Sequence, residues 1–151
     1  MRPLFPKKYS QHFIIFAAFM KIFRTIGIAA VILLFISAFL PWVYINFGKL
    51  HDAYLTGMNT GITNYGKPAI LGLFFSILFL ITIFIPKVWA KRLGIFLAVV
   101  VLAWGIRNYF LFTCEMGYCP HRQVGLYLTV LASLAIMVAA LVPYVPEDKY
   151  E

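Results

Sequence analysis

The sequence predicts an all-α polytopic membrane protein, an antiparallel four-helix transmembrane bundle preceded by an N-terminal interfacial amphipathic helix. Three observations predict it. Four nearly uncharged apolar runs occupy residues 26–45, 69–85, 93–112 and 124–142. Lys and Arg residues gather at alternate ends of these runs. The composition, 63% hydrophobic against 12% charged, leaves too little polar surface to hide four all-round apolar helices in water. The runs hold 17 to 20 residues. At about 1.5 Å rise per residue, the longer ones match a hydrocarbon core of roughly 30 Å.

Residues 1–25 are expected to form a cytoplasmic basic tail and an interfacial helix. Met1–Ser10, with Pro3, Pro6, Lys7 and Lys8, carries no helical pattern. From Gln11 to Thr25, Phe13, Phe16, Met20 and Phe23 recur at three-to-four spacing, with Ala17, Lys21, Arg24 and Thr25 toward another side. That pattern suits a helix lying along the cytoplasmic surface, apolar face down. The competing arrangement is a single tilted helix from Phe13 to Ile45. Against it, Lys21 and Arg24 would each cost about 2.5–3.5 kcal/mol near the bilayer centre. A cleaved signal peptide is also disfavoured, because the apolar stretch is too long and Ser37-Ala38-Phe39 is a poor cleavage site. Span one is thus expected to be an uncleaved anchor.

The transmembrane domain covers residues 26–143. Span one, 26–45, closes on Pro41, Trp42 and Tyr44, whose rings suit the outer interface, with a kink at Pro41. Outer loop 46–68 is rich in Gly and Asn and reads as irregular surface chain. Span two, 69–85, is the shortest and lies between Pro68 and Pro86. The short inner loop Lys87–Arg92 makes spans two and three antiparallel neighbours, and outer loop 113–123 does the same for spans three and four. Span four, 124–142, carries small residues at Ala132, Ser133, Ala135, Ala139 and Ala140. Small residues let backbones approach, so this face is expected to pack on another helix, in this chain or in a second copy. Residues 144–151 form a cytoplasmic tail.

Basic residues set the orientation. Arg2, Lys7, Lys8, Lys21 and Arg24 precede span one, Lys87, Lys91 and Arg92 fill the inner loop, and Lys149 lies in the tail. Opposite them stand Lys49, Lys67 and Arg122. Both termini are therefore expected in the cytoplasm, in the plasma membrane of a bacterial type (inner membrane). The net charge of +8 is explained by these span-end residues, which anionic headgroups attract, and does not imply nucleic-acid binding. A repeat is also present. Leu40-x-Trp42-x-x-x-Asn46 recurs as Leu102-x-Trp104-x-x-x-Asn108, and Gly72-Leu73 opens span two as Gly125-Leu126 opens span four. A duplicated helical hairpin would produce this pattern.

Cys114 and Cys119 are the only cysteines, both in the second outer loop, where a structural disulfide is expected. Two other uses compete. A thiol redox pair would ordinarily sit closer together at a helix start. A metal site would draw on Cys114, Cys119 and His121, closed by His51 and Asp52 from the other loop; no metal or cofactor is expected. Arg107 is the one charged residue well inside a span. It is expected to snorkel outward with Trp104 as a cation–π partner, to anchor Asp52 or Glu115, or to contact an anionic solute. Trp42, Trp104, Arg107, Asp52 and Glu115 together form a candidate binding or contact region at the outer face.

What the spans lack is informative too. They hold no Asp, Glu or His, so they carry no carboxylate relay, cation-coupling site, haem-ligating pair or Ser-His-acid set. Ser37, Ser76, Thr82, Thr129 and Ser133 are expected to be packing contacts. The four-span layout is loosely similar to claudin-like proteins. The first outer loop, however, has neither their paired cysteines nor their Trp-Gly-Leu-Trp pattern, and nothing carries over. The expected role is a non-catalytic membrane subunit or assembly component, in contact with the bilayer and with other subunits or with itself through span four. The alternatives are a small transporter or channel using Arg107, and a thiol redox enzyme using Cys114 and Cys119.

Overall fold

The structure is a computed structural model that describes residues 8–46, 52–61, 66–112 and 121–142. In chain order it forms α1 (Lys8–Phe39), β1 (Pro41–Asn46), β2 (Asp52–Thr56), α2 (Pro68–Phe84), α3 (Val88–Leu111), β3 (His121–Arg122) and α4 (Val124–Leu141). Three stretches are long and apolar enough to cross a membrane: Ala18–Phe39, Val88–Leu111 and Val124–Leu141. Pro68–Phe84 is a shorter apolar helix.

The helix boundaries follow the prolines. Pro68 begins α2, where a missing N–H removes no helical bond, and Pro86 lies just beyond its end. Pro41 stops α1, because the residue before a proline is pushed out of the α region. The apolar run 26–45 is therefore not one helix. Its last residues, Pro41–Asn46, form a strand, as the β-branched and aromatic Val43, Tyr44 and Ile45 favour.

That strand is the centre of a sheet with order β2-β1-β3. Both partners run antiparallel to it, Tyr44 facing Tyr54 on β2 and His121 on β3. The loop 46–68, expected to be irregular, thus contributes β2, which with β1 from the end of the first apolar run and β3 from the loop 113–123 forms a three-stranded cap across one end of the bundle. Pro41 pairs with Thr56 and Val43 with Leu55, so the ladder is irregular at Trp42. This irregularity explains why two consecutive side chains, Trp42 at 1% exposure and Val43 at 0%, both point inward. Tyr44 and Tyr54 stack with ring centres 5.0 Å apart.

A second difference concerns the N-terminus. Helix α1 is continuous for 32 residues, with no break near Thr25 where an interfacial helix would turn into the membrane. Gly27 does not act as a hinge. A Cβ there would meet Ile83 Cδ1 at 3.2 Å and Ala139 Cβ at 3.3 Å, so the glycine lets α1 approach α2 and α4.

The helices form a ring in which α1 packs against α4, α4 against α3 and α3 against α2, with a lighter α1–α2 contact closing it. Neighbours run antiparallel. Gly27 lies by Ala139 and Ser37 by Thr129, while Gly94 lies by Thr82 and Gly72 by Trp104. Gly105 meets Ser133. The small residues of α4 thus face this chain's own α1 and α3. Its large residues Tyr127, Leu131, Leu134 and Val138 are turned outward. Ser37, Ser76, Thr82 and Ser133 each bond the carbonyl three residues earlier in their own helix, as packing hydroxyls do. Of the phenylalanines 74, 75, 79 and 84, only Phe79 is core; Phe74 and Phe84 face outward. At the end away from the sheet, the half-buried Lys91 ammonium donates to the Val142 carbonyl and caps α4.

Close packing at the cap makes an asymmetric pair of substitutions informative. A Cβ on Gly125 would lie 2.7 Å from the Pro41 carbonyl and 2.8 Å from Trp42 Cδ1, whereas one on Gly72 would meet Trp104 Cδ1 at 3.4 Å. Gly125→Ala is expected to lower stability by about 1–3 kcal/mol through overpacking against backbone. Gly72→Ala should be neutral or stabilising by up to about 1 kcal/mol, since alanine is the better helix former. Thermal unfolding of both variants in one detergent checks the order.

Candidate functional site

Of the side chains expected to matter, Trp42 and Trp104 come together where the cap meets the helix ends, but not in the roles expected of them. Trp42 is a core residue and not an interface anchor. Its placement follows from the proline before it. In a helix the Ser37 carbonyl would accept from the N–H of residue 41, and Pro41 has none. The Trp42 indole Nε1–H takes that place, donating to Ser37 O at 2.8 Å. The ring lies over Gly57 and Gly125 and meets Phe112 edge-on at 6.3 Å. The cap's backbone is tied to the starts of two helices as well: Gln123 N, just before α4, donates to Trp42 O on β1 at 2.8 Å, and Ala69 N of α2 donates to Gly57 O, just after β2, at 2.9 Å.

Trp104 is half-buried and donates its indole N–H to Pro68 O at 2.7 Å. Arg107, one turn later, is exposed, with its guanidinium carbon 4.5 Å from the centre of the Trp104 ring. The cation–π expectation for this pair therefore matches the geometry. Arg107 does not line the bundle interior. Asp52 falls in β2 with no described side chain, and Glu115, Cys114, Cys119 and His51 lie outside the described residues. The disulfide and the closing metal ligands consequently lie outside them too. His121 is exposed on β3, and no group of three metal-ligating side chains occurs among the described residues.

Two features went unnoticed in the sequence. Arg122, counted only as a loop charge, donates to the Tyr109 hydroxyl at 2.6 Å and lies 4.3 Å over that ring, joining β3 to α3. Asn108 is 1% exposed, and its Oδ1 has no hydrogen-bond partner. Helical geometry separates it from its neighbour: successive residues turn about 100°, so Arg107 points outward with Trp104 while Asn108 points inward with Val101 and Gly105. A polar amide within an apolar run was the available signal.

Asn108 lines a small cavity with Ser37, Trp42, Trp104, Gly105 and Thr129. The space in which a water centre fits is ≈ 20 Å³. Ser37 Oγ is 2.7 Å from Leu34 O, Thr129 Oγ1 is 2.9 Å from Gly125 O, and the two hydroxyl oxygens are 3.0 Å apart. Each hydroxyl has one proton. Three contacts therefore share two protons, so neither hydroxyl has a proton left over for the cavity and each oxygen keeps a lone pair there.

The two tryptophans are related in a further way. Trp42, from the first helical hairpin, rests on Gly125 of α4; Trp104, from the second, rests on Gly72 of α2. These are corresponding positions of the sequence repeat, and each ring crosses to the other hairpin. No protein-family model, curated protein or solved structure matches the chain.

Trp42 and Trp104 should differ in cost. Trp104→Phe removes one hydrogen bond at a half-buried site and is expected to cost about 1 kcal/mol. Trp42→Phe leaves the Ser37 carbonyl unpaired and a void beneath the sheet, and is expected to cost about 2–4 kcal/mol. Chemical denaturation in mixed micelles measures both.

Proposed function

We propose that this chain is a non-catalytic integral membrane subunit, or an assembly component, that packs against other membrane proteins and is anchored by four spans. One observation carries the reading. Arg24 lies 4.8 Å over the Phe84 ring at the end of α2, so that residues 8–23 of α1 continue past the bundle. Sixteen residues at about 1.5 Å each make an arm of about 24 Å. Its sequence includes Phe13, Ile14, Ile15, Phe16, Phe19 and Ile22, with Phe19 46% and Ile22 56% exposed. An apolar helix of this length is stable when another surface covers it. Because α1 is one continuous helix, a partner's helices suit the arm better than a turn onto the membrane surface.

The four-span arrangement is supported by α2, which packs antiparallel to α3 along its whole length although it has only 17 residues. At about 1.5 Å per residue it reaches about 25 Å, which a slightly thinned bilayer accommodates. Charge supports cytoplasmic termini in an inner-membrane setting. Lys21, Arg24, Lys87, Lys91 and Arg92 gather at the arm's end of the bundle, whereas Lys67, Arg107 and Arg122 lie at the sheet end. Arg107 on the outer surface gives the transport alternative no residue along an internal path.

A photo-crosslinking amino acid at Ile22 should capture a second membrane protein in intact cells, while the same probe at Leu131 on the outward face of α4 labels it far less. Ile22→Ala, which adds no charge to the apolar stretch Ala18–Phe39, should reduce the copurifying partner by at least about half while leaving the melting temperature within about 2 °C, since Ile22 is exposed on the bundle. A lone monomer with no crosslink at position 22 would refute the subunit role.

A further inference from the structure

We propose that the cavity beneath the cap is a binding site for one small, neutral hydrogen-bond donor, a water molecule, which the Asn108 side chain holds against α1 and α4. Four observations lead there. Asn108 Oδ1 is buried and unpartnered in the protein, a condition that folded proteins ordinarily relieve with ordered water. The space is ≈ 20 Å³, which exceeds the roughly 10–15 Å³ that one water centre needs.

The remaining lining polar groups call for a donor. The Ser37 and Thr129 hydroxyls share two protons among three contacts, to Leu34 O, to Gly125 O and to each other, so neither has a proton left for the cavity and each oxygen keeps a lone pair beside Asn108 Oδ1. Water supplies two protons and fits such a set. A cation would also meet oxygen ligands here, but the helices lining the space contain no Asp or Glu, and an unpaired charge at this depth is costly. The two indole N–H donors cannot serve instead, being bonded to Ser37 O and Pro68 O. A water held by Asn108 and shared with the Ser37–Thr129 pair would link α3 to the α1–α4 contact.

The test uses the full chain in lipid nanodiscs with asparagine labelled in the side-chain amide. Magnetisation transfer from water to the Asn108 carboxamide should appear with the sign of a long-lived bound water. Thr129→Val, which keeps the shape and removes one acceptor, should reduce that signal by at least about half. Absence of the transfer in the unaltered protein, with transfer visible at exposed Asn59, would overturn the proposal. So would an experimental structure in which Oδ1 accepts from a protein group. An unchanged signal in Thr129→Val would remove the α4 share of the site. Replacing sodium with choline should leave the melting temperature unchanged; a rise specific to sodium or ammonium would show a cation site and overturn the neutral-donor assignment.

Discussion

The sheet-capped half of this protein depends on one side chain, Trp42, and on the missing N–H of the residue before it. Pro41 ends α1 and leaves the Ser37 carbonyl without its helical donor. The indole of Trp42 replaces that donor at 2.8 Å, which requires the chain to turn back over the helix end and not continue away from it. Once the ring is there, its neighbours are constrained. Gly57 and Gly125 must lack side chains, Phe112 must meet it edge-on, and Trp42's own carbonyl receives Gln123 N at the start of α4. The sheet, the start of α4 and the end of α1 are consequences of the same satisfied carbonyl.

A second tryptophan repeats part of this logic from the other hairpin. Trp104 donates to a backbone carbonyl, Pro68 O, and lies over Gly72, as Trp42 lies over Gly125. The reciprocity agrees with two hairpins of common design related by an axis along the bundle. The copies diverge where backbone conformation is concerned. Leu40–Asn46 is bend and strand because of Pro41, whereas Leu102–Asn108 has no proline and stays helical. The helical copy can therefore direct Asn108 inward and Arg107 outward, and the cavity lies between the two rings.

Much of the membrane architecture was legible in the sequence because it depends on composition. Long apolar runs, prolines at their ends and basic residues beside them express solvent preference directly. The cap was not legible, because a segment such as Pro41-Trp42-Val43-Tyr44-Ile45 is apolar enough to extend a span and β-branched enough to form a strand. Tertiary pairing with Asp52–Thr56 and His121–Arg122 decides between them. The continuous α1 was weighed against the charge of Lys21 and Arg24. Those residues are instead accommodated because the helix is already leaving the bundle where Arg24 meets Phe84. At the site, attention to formal charge favoured Arg107 and passed over Asn108, although burial makes the neutral amide the more demanding group.

These features bear jointly on where function lies. The cap covers one end of the bundle, the polar side chains buried between the described helices are the hydroxyls of Ser37, Ser76, Thr129 and Ser133 and the Asn108 amide, and the charged Arg107 stacks on the outside. These buried hydroxyls bond carbonyls of their own helices and so suit close packing of the helices in register. The small residues of α4 that could have served association are covered by α1 and α3 of the same chain. What the fold leaves uncovered is a sheath of large apolar side chains on every helix, Phe19 and Ile22 on α1, Phe74 on α2, Phe96 on α3 and Leu131 on α4 among them, as a membrane-embedded bundle requires.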